Sequence, residues 1–177
     1  MIRAWLAVLG RSMIELILGG ARSGKSRHAL HRLHPGGCGI FTAQALDQEM
    51  SERIARHRLE RPANFIAHEQ PLALAESLAR LRGQAVLVDC LTLWLSNCLH
   101  HNCYQQQREA LVAELEHWQS SGQLLLVSNE VGQGIIPLGQ LTRQFVDQQG
   151  WLNQSLAQLA QQVTLICAGL PLSLKSL

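Results

Sequence analysis

The pattern Gly-x-x-x-x-Gly-Lys-Ser occupies residues 19–26 and directly follows an apolar run at 14–18. This is the complete phosphate-loop pattern. Its two glycines let the backbone turn tightly, so that successive N–H groups and the start of the next helix face an anion. Lys25 would reach the outer phosphates of a nucleotide, and Ser26 would ligate Mg²⁺. An apolar strand before the motif and helical periodicity over 25–33 favour this reading over a glycine-rich turn without a ligand.

Length and composition limit the classes of protein that this chain can belong to. Its 177 residues fit one domain, which on folding buries about 70% of the surface that the unfolded chain exposes. The net charge is +2 without a dense block of Lys or Arg, so no nucleic-acid partner is expected. Five cysteines without C-x-x-C spacing suit a reducing cytosol, and we expect a cytoplasmic protein. The segment 97–103 contains two cysteines and two histidines, which indicates either a metal site or, more simply, a polar helix end.

The first twelve residues contain a short apolar run at 4–9. That run lacks a clear cleavage site for a signal peptide and is far too short to span a membrane. Because the first strand is expected directly after Met13, we predict a dispensable extension at 1–12 and a nucleotide-binding domain at 13–177.

Apolar runs and helical patterns alternate along the rest of the chain. Further strands are predicted at 40–42, 85–88, 124–127 and 163–168. Helices are predicted at 47–60, 72–82, 91–99, 106–119, 138–148 and 152–162. Such alternation predicts right-handed βαβ crossovers, and therefore an α/β fold with a mostly parallel sheet.

Polar residues at the ends of the predicted strands are candidate ligand contacts, because the carboxyl ends of strands line the crevice of an open α/β sheet. Thr42 and Gln44 are such candidates, although both also suit the plain end of a strand. Asp89 ends the run Val-Leu-Val-Asp, which has the form of a Walker B strand that holds Mg²⁺ directly or through water. The loop 128–134 is either a binding loop or a plain turn.

The predicted helix 47–60 places a histidine on its apolar stripe, which consists of Leu46, Met50, Ile54 and His57. His57 should thus face the body of the protein, with Arg53 and Arg61 one turn away on either side. Neighbouring cations would favour a neutral and nucleophilic imidazole, and they could also hold phosphate oxygens. Spacing alone favours a histidine that merely satisfies the core or the helix end. Arg143, Asp147 and Asn153 are expected to be solvated.

Several stretches match the motifs of one family in order: GGARSGKSR at 19–27, DxEMxxRIxxHRxxRP at 47–62, Glu69, LVDCLTLWLSN at 87–97 and VSNEVGxGIxP at 127–137. Later positions also match, namely Arg143, Phe145, Asp147, Gly150, Asn153 and the tripeptide at 169–171. Over residues 14–175 the chain resembles the bifunctional adenosylcobinamide kinase and adenosylcobinamide-phosphate guanylyltransferase family of cobalamin biosynthesis. The extra segment before Met13 departs from the family pattern.

The resemblance implies a RecA-like phosphate-loop fold that assembles as a homotrimer. It implies phosphorylation of the aminopropanol hydroxyl of adenosylcobinamide by ATP or GTP, followed by transfer of GMP from GTP to the new phosphate. His57 is then the guanylylated nucleophile, Lys25 is the second catalytic residue, and Ser26 and Asp89 hold Mg²⁺. The implied nucleotide contacts are Gly19, Gly20, Ala21, Arg22, Ser23, Gly24, Lys25, Ser26, Thr42, Ala43, Gln44, Arg58, Leu59, Glu60, Arg61, Glu69 and Asp89.

Two other functions are compatible with the same phosphate loop. A small-molecule kinase with a single activity would not need His57. A nucleotide-gated binding or assembly module would use the loop to change shape and would turn over no corrinoid.

Overall fold

The computed structural model describes residues 13–62, 65–118 and 122–176, so the predicted extension at 1–12 lies outside the described residues. Seven strands form one sheet in the order β3-β2-β4-β5-β1-β6-β7. The strands are β1 (Met13–Gly19), β2 (Cys38–Phe41), β3 (Ile66–Glu69), β4 (Val86–Asp89), β5 (Gln123–Val127), β6 (Gln162–Cys167) and β7 (Leu170–Lys175). The helices are α1 (Lys25–Arg32), α2 (Gln48–Leu59), α3 (Leu74–Arg80), α4 (Leu91–His100), α5 (Tyr104–Trp118) and α6 (Gln140–Leu159).

The sheet is parallel except for the last pair, β6 and β7, which form an antiparallel hairpin. Strand β1 pairs with β5 on one side and with β6 on the other, and β4 lies beyond β5. The carboxyl ends of β1, β2, β4 and β5 therefore meet at one edge of the sheet. The predicted α/β fold with a mostly parallel sheet is confirmed.

Both faces of the central strands are buried, which explains why these strands read as continuous apolar runs. Ile14, Leu16 and Leu18 of β1 pack in a large cluster with side chains of α3, α4, α5 and α6. Ile17 points to the opposite face, where it packs in a smaller cluster with Ala29 of α1. This alternation follows from the two-residue period of a strand and holds β1 rigidly between two helical layers.

Two predictions of secondary structure were incomplete. The helices expected at 138–148 and 152–162 are one helix, α6, which passes through Gly150 without interruption. A glycine inside a helix costs about 1 kcal/mol relative to alanine, which the packing of so long a helix outweighs. Strands β3 and β7 were not predicted, and all of their residues are exposed, so neither forms a buried apolar run. None of the helices in the described parts of the chain is both long and apolar enough to cross a membrane.

Candidate active site

The phosphate-loop sequence joins β1 to α1 in the structure. Gly24 caps α1 at φ 97°, a left-handed conformation that favours glycine, and Arg22 also has positive φ, at 56°. At Gly19, an added Cβ would lie only 2.4 Å from the carbonyl oxygen of Ile166, so the first glycine is required by close packing against β6. Gly20 and Ala21 form the exposed rim of the loop. The turn of the β6–β7 hairpin supports the loop, since the Gly169 N–H donates to the Ser23 carbonyl at 2.9 Å.

Lys25 points back over this loop. Its side chain is 7% exposed, and its Nζ donates to the Gly20 carbonyl oxygen at 2.7 Å. Burial lowers the pKa of Lys25, while the nearby Asp89 carboxylate acts in the opposite direction. A partly dehydrated ammonium whose acceptor is a neutral carbonyl is suited to bind an anion that enters the loop.

A crevice opens where the sheet strands end, and we call it the strand-end crevice. Its sheet side consists of Phe41, Asp89 and Asn129, and its helix side consists of Ile54 and His57 of α2, with Arg61 following. Lys25 and Ser26 also line it, together with Ala43, Cys90 and Glu69. Predicted site residues from five separate stretches of sequence thus lie around one opening.

A second opening, which we call the cationic cleft, lies along the outer rim of the phosphate loop. It is lined by Arg22, Arg27, Arg53 and Arg56, with Glu49 and Glu60 as the acidic members. Lys25, Ser26, Arg53 and His57 line both openings. The two openings are therefore adjacent, and His57 lies at the boundary between them.

Asp89 and Ser26 meet inside the strand-end crevice. The Ser26 side chain lies beside the Asp89 carboxylate. Burial raises the pKa of Asp89, whereas the neighbouring Ser26, His57, Lys25 and Arg61 oppose the rise. A hydroxyl and a carboxylate side by side are the oxygen donors that Mg²⁺ accepts when phosphate oxygens complete its shell, so this pair fits the predicted metal.

Helix α2 carries His57 on the face that borders the crevice. Asp47 caps the helix by accepting from the Met50 N–H at 2.7 Å, as an Asp before a helical pattern predicts. Met50, Ile54 and His57 are each half-buried, and no residue of α2 is fully buried. The stripe therefore faces the protein as predicted, but it lines an opening and not a core. Leu46 lies before the helix and is 77% exposed, so its assignment to an inward stripe was wrong.

The segment after α2 is held against β2 and β3 by Arg61. Its guanidinium lies 3.4 Å from the centroid of the Phe41 ring, and its Nη1 lies 3.5 Å from Glu69 Oε1. Arg58 Nη2 reaches the same oxygen at 3.2 Å. Arg61 is only 10% exposed, and its buried Nε has no hydrogen-bond partner among the residues that the structure describes. The side chain of Arg61 is therefore an anchored cation at the crevice wall.

Some of the predicted contact residues do not line either opening. Thr42 is fully buried, and its hydroxyl donates to the Cys90 carbonyl at 2.7 Å and accepts from the Cys90 N–H at 3.1 Å. Its side chain thus ties the end of β2 to the end of β4. Gln44 is half-buried outside both openings, and Leu59 is 85% exposed. Glu60 lines the cationic cleft, and its Oε2 is 3.9 Å from His57 Nδ1.

The structure also brings together polar residues that sequence reasoning left unassigned. Asn129 lines the strand-end crevice directly after β5. Asn153 of α6 was expected to be solvated, which is wrong, because it is only 6% exposed and hydrogen-bonds to Ser128 and to the Asn129 carbonyl. These two partners at the end of β5 are 25 and 24 residues away, so no local pattern indicates that Asn153 reaches this strand end.

A phosphate loop at the carboxyl edge of a parallel sheet, with a carboxylate and a row of cations around it, defines a P-loop nucleotide-binding protein. A family model described as cobinamide kinase / cobinamide phosphate guanyltransferase matches residues 15–174. The chain belongs to this family and is an enzyme of this kind.

Curated relatives agree with this assignment. The chain is 49% identical to the bifunctional adenosylcobalamin biosynthesis protein CobP of Pseudomonas aeruginosa, over 92% of this chain and 98% of that protein. It is 35% identical to the bifunctional adenosylcobalamin biosynthesis protein CobU of Escherichia coli, over 92% of this chain and 100% of that protein. Among solved structures, the P4 protein from bacteriophage phi6 in complex with ADP is similar at a TM-score of 0.48 and 13% identity, and the alignment spans 92% of this chain and 54% of that one.

Proposed function

We propose that this enzyme phosphorylates the aminopropanol hydroxyl of adenosylcobinamide with ATP or GTP, and then transfers GMP from GTP to adenosylcobinamide phosphate through a guanylyl-histidine. The products are adenosylcobinamide-GDP and pyrophosphate. The observation that carries the proposal is the position of His57, which lines both the strand-end crevice beside Asp89 and the cationic cleft beside the phosphate loop.

In the kinase step, the substrate hydroxyl attacks the γ-phosphorus of the nucleotide in line, and the nucleoside diphosphate leaves. Such transfers depend on positioning and on neutralising charge. Lys25 is placed to bind the outer phosphates once the nucleotide replaces the Gly20 carbonyl as its partner. The backbone N–H groups of residues 19–24 and the N-terminus of α1 would bind the remaining phosphate oxygens.

In the guanylyl step, a neutral imidazole nitrogen of His57 attacks the α-phosphorus of GTP, and pyrophosphate leaves. The resulting phosphoramidate divides one transfer into two. An oxygen of adenosylcobinamide phosphate then attacks the same phosphorus, and the imidazole leaves. Arg53 lines both openings beside His57, so it is suited to hold phosphate oxygens in this step.

Mg²⁺ is the proposed cofactor, held by Ser26 and Asp89. When bound, the ion would neutralise charge on the transferring phosphoryl group. The remaining proposed nucleotide contacts comprise Ala43, Arg61 and Glu69 at the strand-end crevice, with Arg58 beside Glu69 and Glu60 at the cationic cleft. We propose that Thr42, Gln44 and Leu59 contact the nucleotide only after its binding has rearranged the ends of β2 and α2. The five free cysteines support a reducing, cytosolic location.

The proposal is tested by following protein-bound label after incubation with Mg²⁺ and GTP labelled at the α-phosphate. Wild-type protein should retain acid-labile label, and His57→Asn should retain none, because it lacks the nucleophile. Phosphorylation of adenosylcobinamide should fall only modestly in His57→Asn, since the alcohol attacks the γ-phosphorus directly. His117→Asn is the matched control, because His117 is an exposed histidine on α5 far along the chain from the site.

The alternatives predict different results in the same assay. A kinase with a single activity would leave no label on the wild-type chain. Label that persists in His57→Asn would exclude His57 as the nucleophile. A binding module would form no phosphorylated corrinoid in any variant.

A further inference from the structure

The end of β5 is held at four points where it enters the strand-end crevice. The Ser128 N–H donates to the Ile17 carbonyl at 3.0 Å, and the Glu130 N–H donates to the Gly19 carbonyl at 3.1 Å. Between them, the Asn129 N–H donates to the Thr92 hydroxyl at 2.8 Å. The Asn129 carbonyl accepts from Asn153 Nδ2 at 3.0 Å. The backbone that carries Asn129 is thus fixed against β1, the first glycine of the phosphate loop, α4 and α6.

Asn153 is the centre of the contact from α6. Its Oδ1 accepts from the Ser128 hydroxyl at 2.7 Å and from Gln149 Nε2 at 3.0 Å, while its Nδ2 donates to the Asn129 carbonyl. Gln149 Nε2 also donates to the Ser128 hydroxyl at 2.9 Å. All of the acceptor and donor roles at the Asn153 amide are mutually consistent, so its orientation is determined by its partners.

This polar cluster is almost completely buried. Ser128 and Gln149 are fully buried, and Asn153 is 6% exposed. Within the described ranges of the chain, Gln149 Oε1 has no hydrogen-bond partner. Apolar side chains at these positions would avoid the cost of burying amides, so the cluster is better explained by a requirement for geometry than by one for stability.

We propose that Asn153 is a positioning residue, which holds Asn129 in the strand-end crevice for the reaction that takes place there. The inference rests on the proposed function only in taking this crevice as the nucleotide site. Of the side chains in the cluster, only that of Asn129 lines the crevice, whereas Asn153, Ser128 and Gln149 lie behind it.

The test combines substitutions at Asn153 and Asn129 in a double-mutant cycle. Asn153→Asp keeps the size of the side chain and removes the donor to the Asn129 carbonyl. We expect it to lower kcat for adenosylcobinamide phosphorylation about tenfold with little change in KM for GTP, as the loss of one well-placed hydrogen bond allows. In an Asn129→Ala background the same substitution should change kcat less than twofold, since the Asn129 side chain through which it acts has been removed.

Two further variants separate positioning from general damage. Gln154→Ala, at the exposed neighbouring position of α6, should leave kcat unchanged. Ser128→Ala removes the hydroxyl that orients Asn153 and should lower kcat about threefold, again only when Asn129 is present. This second cycle keeps the inference testable if Asn153→Asp does not fold.

Three outcomes would overturn the inference. They are an unchanged kcat in folded Asn153→Asp, an undiminished effect in the Asn129→Ala background, and an equal loss in Gln154→Ala. Lys25→Ala is assayed in parallel. If Lys25→Ala is fully active, the assignment of the nucleotide site is wrong. If Lys25→Ala is inactive while the effects of the two substitutions in each cycle simply add, only the role of Asn153 is wrong.

Discussion

Lys25 is the residue on which the kinase step should depend most strongly. Its ammonium is nearly buried and donates to the Gly20 carbonyl, so it is already partly desolvated before the nucleotide binds. Lys25→Ala should lower the rate of adenosylcobinamide phosphorylation by roughly 100-fold to 1000-fold, because one preorganised electrostatic contact contributes about 3 to 4 kcal/mol. Steady-state kinetics at saturating Mg²⁺ measure this, and a near wild-type rate would contradict the phosphate-loop assignment.

Individual site residues could be predicted from the sequence where a short local motif or a helical or strand pattern indicates their role. Lys25 and Ser26 belong to a contiguous motif, and Asp89 ends a buried strand. The inward direction of His57 follows from helical spacing, but guanylylation came only from the family resemblance. Asn153 has no local signal, because its role depends on which strand end α6 packs against. Thr42 shows that a polar residue at a strand end does not by itself indicate a ligand contact. Its hydroxyl donates to the Cys90 carbonyl and ties two strand ends together.

Among the elements, the junction of β1 with the phosphate loop offers a matched pair of glycines. An added Cβ at Gly19 would lie 2.4 Å from the backbone oxygen of Ile166, whereas at Gly20 it would meet nothing within 4 Å. Gly19→Ala should therefore destabilise the protein by about 1–3 kcal/mol, as an overpacked site does, and should weaken nucleotide binding. Gly20→Ala should change stability by less than about 0.5 kcal/mol. Urea denaturation of the two variants measures the difference, and equal stabilities would contradict the close packing of β1 against β6.

Elements that appear as long apolar runs were predicted well, and the two edge strands were not. Strands β1, β4 and β5 are buried on both faces and appear in the sequence as apolar runs. Strand β3 is short and exposed and carries no such run. Strand β7 alternates leucine with other residues at 170, 172 and 174, but this two-residue period was not recognised beside Pro171, which edge strands tolerate. The order of the strands in the sheet could not be predicted from the sequence, because several right-handed arrangements are compatible with the same alternation of strands and helices.

For the whole molecule, the boundary of the folded domain can be tested by truncation. Strand β1 begins at Met13, and the family model matches from residue 15. Deleting residues 1–12 should leave the melting temperature and both activities nearly unchanged, because the contacts of β1 with β5 and β6 remain. Thermal denaturation and the two activity assays are the measurements. A large fall in melting temperature would mean that the segment packs on the domain.

The last prediction concerns assembly, for which we propose a homotrimer. Ile135 and Leu138 are each 98% exposed, and Leu141 is 82% exposed. These residues lie between β5 and the first turn of α6, so they form one apolar surface segment of a kind that marks interaction sites. Sedimentation equilibrium should give three times the mass of 19.6 kDa.

A charged double substitution, Ile135→Asp with Leu138→Asp, should lower the measured mass to that of the monomer if this segment forms the interface. Charged side chains at the centre of an interface would have to be desolvated without partners. Gln133→Asp is the matched control. Gln133 is an exposed polar residue of the same loop, so a charge at this position stays in contact with water. A monomeric wild-type protein would exclude the homotrimer. A trimer that survives the double substitution would assign the interface elsewhere, and the exposed apolar residues Leu170, Leu172 and Leu174 of β7 would be the next to change.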